Sequence, residues 1–453
     1  MSTIAAISTP NAIGGISVIR ISGPKSIKIA EKLFKSLNDI IVSSMKGYTC
    51  AYGFVHDDGQ KVDDVILSLF RAPKSYTGED VVEISCHGGI FITRQILRII
   101  LKNGAELALP GEFTKRAFLN GKLSLTQAEA VMDVISANSD NELKYAIALK
   151  DGAIFKRVKK VSESLIKTLG DLAAWADYPE EDIPIVDSEN LNNSLNNILS
   201  ELKKILTTYD YGKIIREGIN TAIVGKPNVG KSTLMNCLSG YEKSIVTDIA
   251  GTTRDIIEEK VKIGNLILRL YDTAGIRLTD DIIESIGVNN TYKKINDVDL
   301  IFVLFDSSKK LCDDDFKIIE QVKNRKTIAI INKIDISNDF NKDILKENFK
   351  YIIEISAKDN FGIENLEEIL EEMFLNEEIY ADQGILANER QKLNLEKSLI
   401  SLKEAIDILN MGESFDAVTV MLDDSLHYLL QLTGESVTEN VVNEVFSRFC
   451  VGK

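Results

Sequence analysis

The sequence predicts a multidomain α/β protein: an N-terminal α+β domain, a helical bundle built from two chain segments, and a doubly wound P-loop domain inserted between those segments. Three observations carry this. Gly225-Lys226-Pro227-Asn228-Val229-Gly230-Lys231-Ser232 fits the pattern G-x-x-x-x-G-K-[ST] between an apolar run, Thr221 to Val224, and a helix-like run, Thr233 to Leu238. Strand-like runs at Thr221 to Val224, Leu266 to Tyr271, Leu300 to Phe305, Thr327 to Ile331 and Tyr351 to Ile355 alternate with helical stretches, as a doubly wound sheet requires. Apolar seams of one spacing lie on both sides of that segment, at Leu191, Leu195, Ile198, Leu202 and Ile205 before it and at Leu395, Leu399, Leu402, Ile406 and Leu409 after it.

The boundaries that follow are 1–118 for the N-terminal domain, 119–213 and 379–453 for the two helical segments, and 214–378 for the P-loop domain. Three domains in simple series would leave each helical segment with an unburied stripe. In the first domain Ile16 to Ile21, Val65 to Phe70 and Asp80 to Ser85 read as strands, the last following the turn-like Ser75-Tyr76-Thr77-Gly78. Phe91 to Leu101 reads as a helix that stops at Asn103-Gly104. Arg20, Glu83 and Lys122 are unremarkable on spacing alone. Thr126-Gln127-Ala128-Glu129 reads as a capping box opening the first helical segment, and Val161, Leu165, Leu169, Leu172 and Ala176 form its next stripe. The chain runs to Phe446-Ser447-Arg448-Phe449-Cys450-Val451-Gly452-Lys453. Such a tail reads as frayed and dispensable, although the placing of Cys450 leaves a reactive or substrate-facing thiol open.

At 453 residues and 44% hydrophobic content the chain is long enough for two or three buried cores. With 68 acidic against 53 basic residues its formal charge is −15, which argues against non-specific binding of phosphate backbones over a wide surface. A local basic patch, or a partner supplying one, would still admit RNA. Cys50, Cys86, Cys237, Cys312 and Cys450 are scattered without a C-x-x-C pair, and only three histidines accompany them. Structural zinc and a disulfide framework are therefore not expected, and a reducing cytoplasm is. No run approaches a membrane span and no basic-then-apolar leader opens the sequence, so neither anchor nor signal peptide is expected.

The octamer implies a nucleoside triphosphate. Its glycines turn backbone N–H groups of Val229, Gly230 and their neighbours onto phosphate oxygens, the helix opening at Thr233 adds its partial positive charge, Lys231 reaches the β- and γ-phosphates, and Ser232 can hold Mg²⁺. Gly251-Thr252-Thr253-Arg254-Asp255, Asp272-Thr273-Ala274-Gly275, Asn332-Lys333-Ile334-Asp335 and Ser356-Ala357-Lys358 follow in the order a GTPase needs. Thr253 is placed to complete the Mg²⁺ shell and Asp272 to hold a metal-bound water. Asp335 can accept from guanine N1–H and N2–H₂, whereas adenine would leave that charge unpaired, so GTP is favoured over ATP.

Ile276 stands where Ras-like GTPases carry a water-orienting glutamine, and an isoleucine cannot do that work. The role is expected to fall to a carboxylate among Asp280, Asp281 and Glu284. Arg254 and Arg277 are as suited to surface ion pairs as to a catalytic arginine finger. The amide oxygen of Asn228, with backbone carbonyls of the Thr247 to Gly251 loop and the Thr252 hydroxyl, could hold a monovalent cation in place of an arginine. Bracing of the loop by Asn228 is an equal alternative.

Together, Asn228 in its octamer, Asp248-Ile249-Ala250-Gly251-Thr252-Thr253-Arg254-Asp255, Ile276, the insertion layout and the Phe449 to Lys453 ending resemble the MnmE (TrmE) family of tRNA uridine-modification GTPases. Ser75 to Glu83, Cys86-His87-Gly88-Gly89 and Pro110 to Phe118 are similar to that family as well. The resemblance implies a homodimer formed through the N-terminal domain. It implies a tetrahydrofolate derivative, 5-formyl- or methylene-tetrahydrofolate, held by Arg20, Glu83, Lys122 and Lys453. It also implies K⁺ bound through Asn228, Thr247, Ile249 and Thr252 as two G domains meet, Mg²⁺ on Ser232 and Thr253, and Glu284 as the water-orienting residue. Cys450 falls at the family's tail cysteine. An FAD- and NADH-using partner, MnmG, would join in a heterotetramer to install an aminomethyl or carboxymethylaminomethyl group at carbon 5 of the wobble uridine of tRNA. Pro10-Asn11-Ala12-Ile13-Gly14-Gly15 departs from the family's Pro-Pro-Gly-Arg-Gly-Gly run and lacks its arginine. Two competing readings are a GTPase timing ribosome assembly on RNA, against which the acidic balance and the lack of a basic module speak, and a regulatory switch needing outside help to hydrolyse GTP.

Overall fold

Period-two alternation decides which face of each N-terminal strand is covered. The strands and helices of this domain are β1 (Ile4–Ile7), β2 (Ile16–Ser22), α1 (Ser26–Leu33), β3 (Phe34–Ser36), β4 (Thr49–Asp57), β5 (Gln60–Phe70), β6 (Val81–His87), α2 (Ile90–Lys102), β7 (Glu106–Leu107) and α3 (Glu112–Leu119). They come from a computed structural model that describes residues 1–177, 188–241, 258–271, 298–336, 342–374 and 384–453. The sheet runs β3-β4-β5-β6-β2-β1-β7. Ile19, Ile21, Leu67, Leu69, Val82 and Ile84 are buried in one core with Ile29, Leu33, Ile96 and Ile100 of α1 and α2. Arg20 and Glu83, each one residue out of phase with those positions, are register partners across β2 and β6 and so point to the other face together.

The helices α4 (Leu125–Ser136), α5 (Asp140–Lys150), α6 (Ala153–Asp177) and α7 (Ser188–Leu206) follow. The capping box that opens α4 lies two residues earlier than the sequence suggested: Ser124 N–H donates to Gln127 Oε1 at 3.0 Å and Gln127 N–H to Ser124 Oγ at 3.3 Å. The reason is tertiary. Leu125 is fully buried against Val442, Phe446 and Phe449, which fixes the start of the helix and draws Thr126 and Glu129 into its buried first turns. In α6 Val161, Leu165 and Leu172 are buried while Leu169 is half-buried, and in α7 all five seam residues are buried. The side chain of Ala176 lies outside the described residues.

Next come α8 (Tyr209–Glu217), β8 (Ile219–Gly225), α9 (Lys231–Tyr241), β9 (Glu258–Ile263), β10 (Leu266–Tyr271), β11 (Leu300–Asp306), α10 (Asp313–Val322), β12 (Thr327–Asn332), α11 (Asp343–Asn348), β13 (Tyr351–Ile355) and α12 (Glu364–Phe374). The sheet order is β13-β12-β11-β8-β10-β9, parallel except for the β9–β10 pair. Every residue of β11 is buried, as a central parallel strand covered on both faces must be. Phe302 and Leu304 face Leu234, Leu366 and Leu370, while Ile301, Val303 and Phe305 face Ile319 and Leu345. β8 lies between β11 and β10, where the strand order reverses, and that reversal opens the crevice in which such sheets bind ligands.

The remaining helices are α13 (Glu389–Asn410), α14 (Phe415–Thr433) and α15 (Glu439–Ser447). Leu395, Leu399, Leu402, Ile406 and Leu409 are buried, and Ser398 and Ser425 join α13 to α14 through hydroxyls 2.8 Å apart. By contacts the chain divides into two compact units, 1–132 with 149–199 and 394–453, and 133–148 with 200–393. No helix among the described residues is long and apolar enough to cross a membrane.

Candidate nucleotide site and a second cationic cluster

The phosphate loop leaves β8 at Gly225 and enters α9 at Lys231. Asn228 sits in the left-handed region at φ 64°, which asparagine tolerates better than most residues, and Gly230 takes φ 104°. Gly230 has a second reason to be glycine: a Cβ there would run into the side-chain amide of Asn332. The Lys231 ammonium donates to Gly225 O at 2.6 Å and to Lys226 O at 2.9 Å, which holds it over the mouth of the loop. Ser232 and Thr233 are exposed at the first turn of α9, where helix N–H groups lack intrahelical partners.

The base-recognition segment is tied to that loop. Asn332, at the end of β12 and 2% exposed, donates through Nδ2 to Val229 O at 2.9 Å and accepts the Ala357 N–H on Oδ1 at 3.0 Å. Lys333, also left-handed at φ 67°, donates to Asn228 O at 2.6 Å and to Asp306 Oδ2 at 2.7 Å. Burial pushes the Asp306 carboxyl up, but hydrogen bonds from Lys333 and Ser308 outweigh it and hold the carboxyl below its ordinary value. Asp335 is exposed and receives the Ser356 hydroxyl at 2.9 Å, a proton for which Asp359, also at 2.9 Å, competes. Lys358 is exposed beside them. This arrangement leaves a carboxylate open to a heterocycle above a backbone cradle for phosphates.

A second cluster forms in the N-terminal domain. Arg20 Nε donates to Glu83 Oε1 at 2.8 Å, and its guanidinium lies 5.4 Å from the Tyr76 ring and 5.6 Å from that of Phe113. The last residues of the sequence are docked here. Gly111 N–H donates to Cys450 O at 3.3 Å, Phe113 N–H to Lys453 O at 3.1 Å, and Ser8 Oγ to Gly452 O at 3.2 Å. Gly452 takes φ 95° and passes so close to Ile7 O that no side chain would fit. Burial lowers the pKa of Lys453, the positive charge of Arg20 lowers it further, and Glu83 opposes both. Cys450 is exposed.

The fold thus brings together Asn228, Val229, Gly230, Lys231, Asn332, Lys333, Asp335, Ser356 and Ala357, and separately Arg20, Glu83 and Lys453. Lys122 is exposed and donates to Pro73 O at 3.2 Å. Thr247, Asp248, Ile249, Ala250, Gly251, Thr252, Thr253, Asp272, Thr273, Ala274, Gly275 and Glu284 lie outside the described residues, as do Arg254, Ile276, Arg277, Asp280 and Asp281. The frayed tail expected from chain position is docked instead, because Phe446 and Phe449 are buried against Leu125 and Phe118. Sequence reasoning missed Asp306, whose only signal is a carboxylate ending an unbroken apolar run, and Tyr76 and Phe113, whose approach to Arg20 has no local signature.

Two family models match: the one described as "GTP-binding protein TrmE N-terminus" over residues 3–122, and "MnmE helical domain" over 125–450. Among relatives, the tRNA modification GTPase MnmE of Acetivibrio thermocellus is 42% identical over 456 residues, covering 100% of this chain and 99% of its own. The proteins of the same name from Clostridioides difficile and Carboxydothermus hydrogenoformans are 42% and 41% identical at the same coverage. With matches of this length in both domains and likeness from end to end, the chain belongs to the MnmE family of tRNA modification GTPases.

Proposed function

We propose that this protein hydrolyses GTP and, with an FAD- and NADH-using partner (MnmG), adds an aminomethyl or carboxymethylaminomethyl group to carbon 5 of the wobble uridine of tRNA. The one-carbon unit comes from a tetrahydrofolate derivative. The observation that carries the reading is that one chain holds both a guanine-type nucleotide cradle and a separate Arg20–Glu83–Lys453 cluster built around its docked tail. A guanidinium flanked by two aromatic rings suits a flat, polar heterocycle such as a reduced pterin. The partner's flavin supplies the redox chemistry.

In this reading Lys231 leaves its backbone acceptors for the β- and γ-phosphates, Ser232 and Thr253 hold Mg²⁺, and Asp335 accepts from the guanine edge. Asn228, Thr247, Ile249 and Thr252 would hold K⁺ when two G domains of a homodimer meet, and the ion would supply the charge neutralisation that an arginine finger gives elsewhere. Glu284 orients the attacking water, Lys122 completes the folate site from the neighbouring turn, and Cys450 presents its thiol beside Lys453. The helical domain is assembled from 119–213 and 379–453 around the G domain, 214–378, and the protein works in the cytoplasm.

The deciding experiment is nucleoside analysis of tRNA from a strain lacking the protein. Loss of the C5 substituent from wobble uridines, restored by the wild-type gene, is the expected result. Unchanged wobble uridines would overturn the reading.

A further inference from the structure

The net charge of −15 is not spread evenly. Helix α12 carries Glu364, Glu367, Glu368, Glu371 and Glu372 with no basic residue. The stretch from Lys150 to Lys167 does the reverse, holding six basic residues against Asp151 and Glu163. The helical repeat sorts these charges. Ile154, Val158, Val161, Leu165 and Leu172 form the buried stripe of α6, and Lys156, Lys160 and Lys167 fall on the opposite face together with Glu163, with Lys159 at its side.

All four of these lysines are exposed, as is Lys150 just before the helix. Among the described residues none of the five has an ion-pair partner, although Lys159 lies 5.8 Å from the Phe155 ring. Lys156 to Lys167 spans about 16 Å at the helical rise. The row leads towards the tail, for the positive charge of Lys150 is felt at Lys453 in the Arg20–Glu83 cluster. A face with four lysines to one glutamate, none of those lysines held in an ion pair among the described residues, that begins near Lys453 suits a polyanion whose reacting base must be delivered there.

We infer that the exposed face of α6 is the docking surface for the phosphate backbone of the tRNA substrate, which places the anticodon arm beside the docked tail. The inference rests on the tRNA-modification reading. The contacts are to phosphate, so they set orientation and contribute salt-dependent affinity while reading no sequence.

The test uses the full-length protein and an unmodified tRNA transcript, with binding followed by fluorescence anisotropy across a KCl series. Lys156→Glu, Lys160→Glu and Lys167→Glu together should weaken binding by about ten-fold or more and flatten the slope of log K against log salt by about 2 to 3. The same three positions changed to Gln should give a smaller loss in the same direction. GTP turnover without tRNA should match wild type in both variants. A control removes as much charge from another exposed basic face with Lys28→Glu, Arg94→Glu and Arg98→Glu on α1 and α2, and should bind nearly as wild type. Triple α6 variants that bind within about two-fold of wild type, or a control that loses as much, overturn the docking face. Such a result leaves the function standing, whereas unchanged wobble uridines in the deletion strain overturn the function itself.

Discussion

Asn332 reaches from the end of β12 to the phosphate loop, its amide nitrogen 2.9 Å from the carbonyl oxygen of Val229. The same side chain accepts the Ala357 N–H on its oxygen. One buried amide therefore joins the three loops that must meet a nucleotide at its phosphates and its base.

Removing it should uncouple them. Asn332→Ala leaves Val229 O and the Ala357 N–H without their partner, at a cost of about 1–3 kcal/mol for each buried group. GDP affinity, measured by fluorescence of a labelled nucleotide, should fall by roughly ten- to hundred-fold. An unchanged affinity would show that the loops are held by their other contacts.

Asn228 separates two roles cleanly, because its backbone is left-handed and its carbonyl, not its side chain, receives Lys333. Asn228→Gly keeps that backbone and that hydrogen bond while deleting the amide oxygen. Wild-type turnover should be faster in KCl than in NaCl at equal ionic strength, and the variant should lose the difference while binding GDP normally. Glu284→Ala should lower turnover in both salts at unchanged affinity. Equal wild-type rates in the two salts would remove the potassium argument.

Lys453 should titrate below ordinary lysines. Its folded pKa is depressed, by burial first and by Arg20 second, so the docked tail binds fewer protons than a free one. Stability of docking should therefore increase as pH climbs from that depressed value towards the ordinary 10.5, and it should weaken on the acid side. NMR of ¹³C-dimethylated lysine reads the midpoint directly. Arg20→Met should raise it only partly, since burial remains; a midpoint matching solvent-exposed lysines would contradict the docked geometry.

Arg116 is buried between Glu79 at 3.1 Å and Glu112 at 2.9 Å and donates to Ser2 O at 2.7 Å. Arg116→Ala strands two carboxylates and should cost about 3–5 kcal/mol in the N-terminal domain. Arg116→Lys should recover only part of this, because an ammonium lacks the forked geometry. Amide hydrogen exchange in β1 and α3 is the measurement; protection equal to wild type would show that the pair is dispensable.

The chemistry of the nucleotide site was legible in the sequence because its parts are local. A phosphate cradle is made by eight consecutive residues, and Asn332 to Asp335 sit at a strand end that an unbroken apolar run already marks. The helical seams were legible for the same reason, since a repeat of three and four residues has only one buried solution. The start of α4 was not, because burial of Leu125 against Phe446 outranks a local capping pattern. The second cluster was grouped only through the family resemblance, not through spacing. Arg20 meets Glu83 only through the register of two antiparallel strands, and Lys453 joins them only because Phe446 and Phe449 bury their rings and draw the tail in. Residue spacing along the chain carries no information about such meetings; side chains far apart in sequence are brought together by the burial of other residues, which only the folded structure decides.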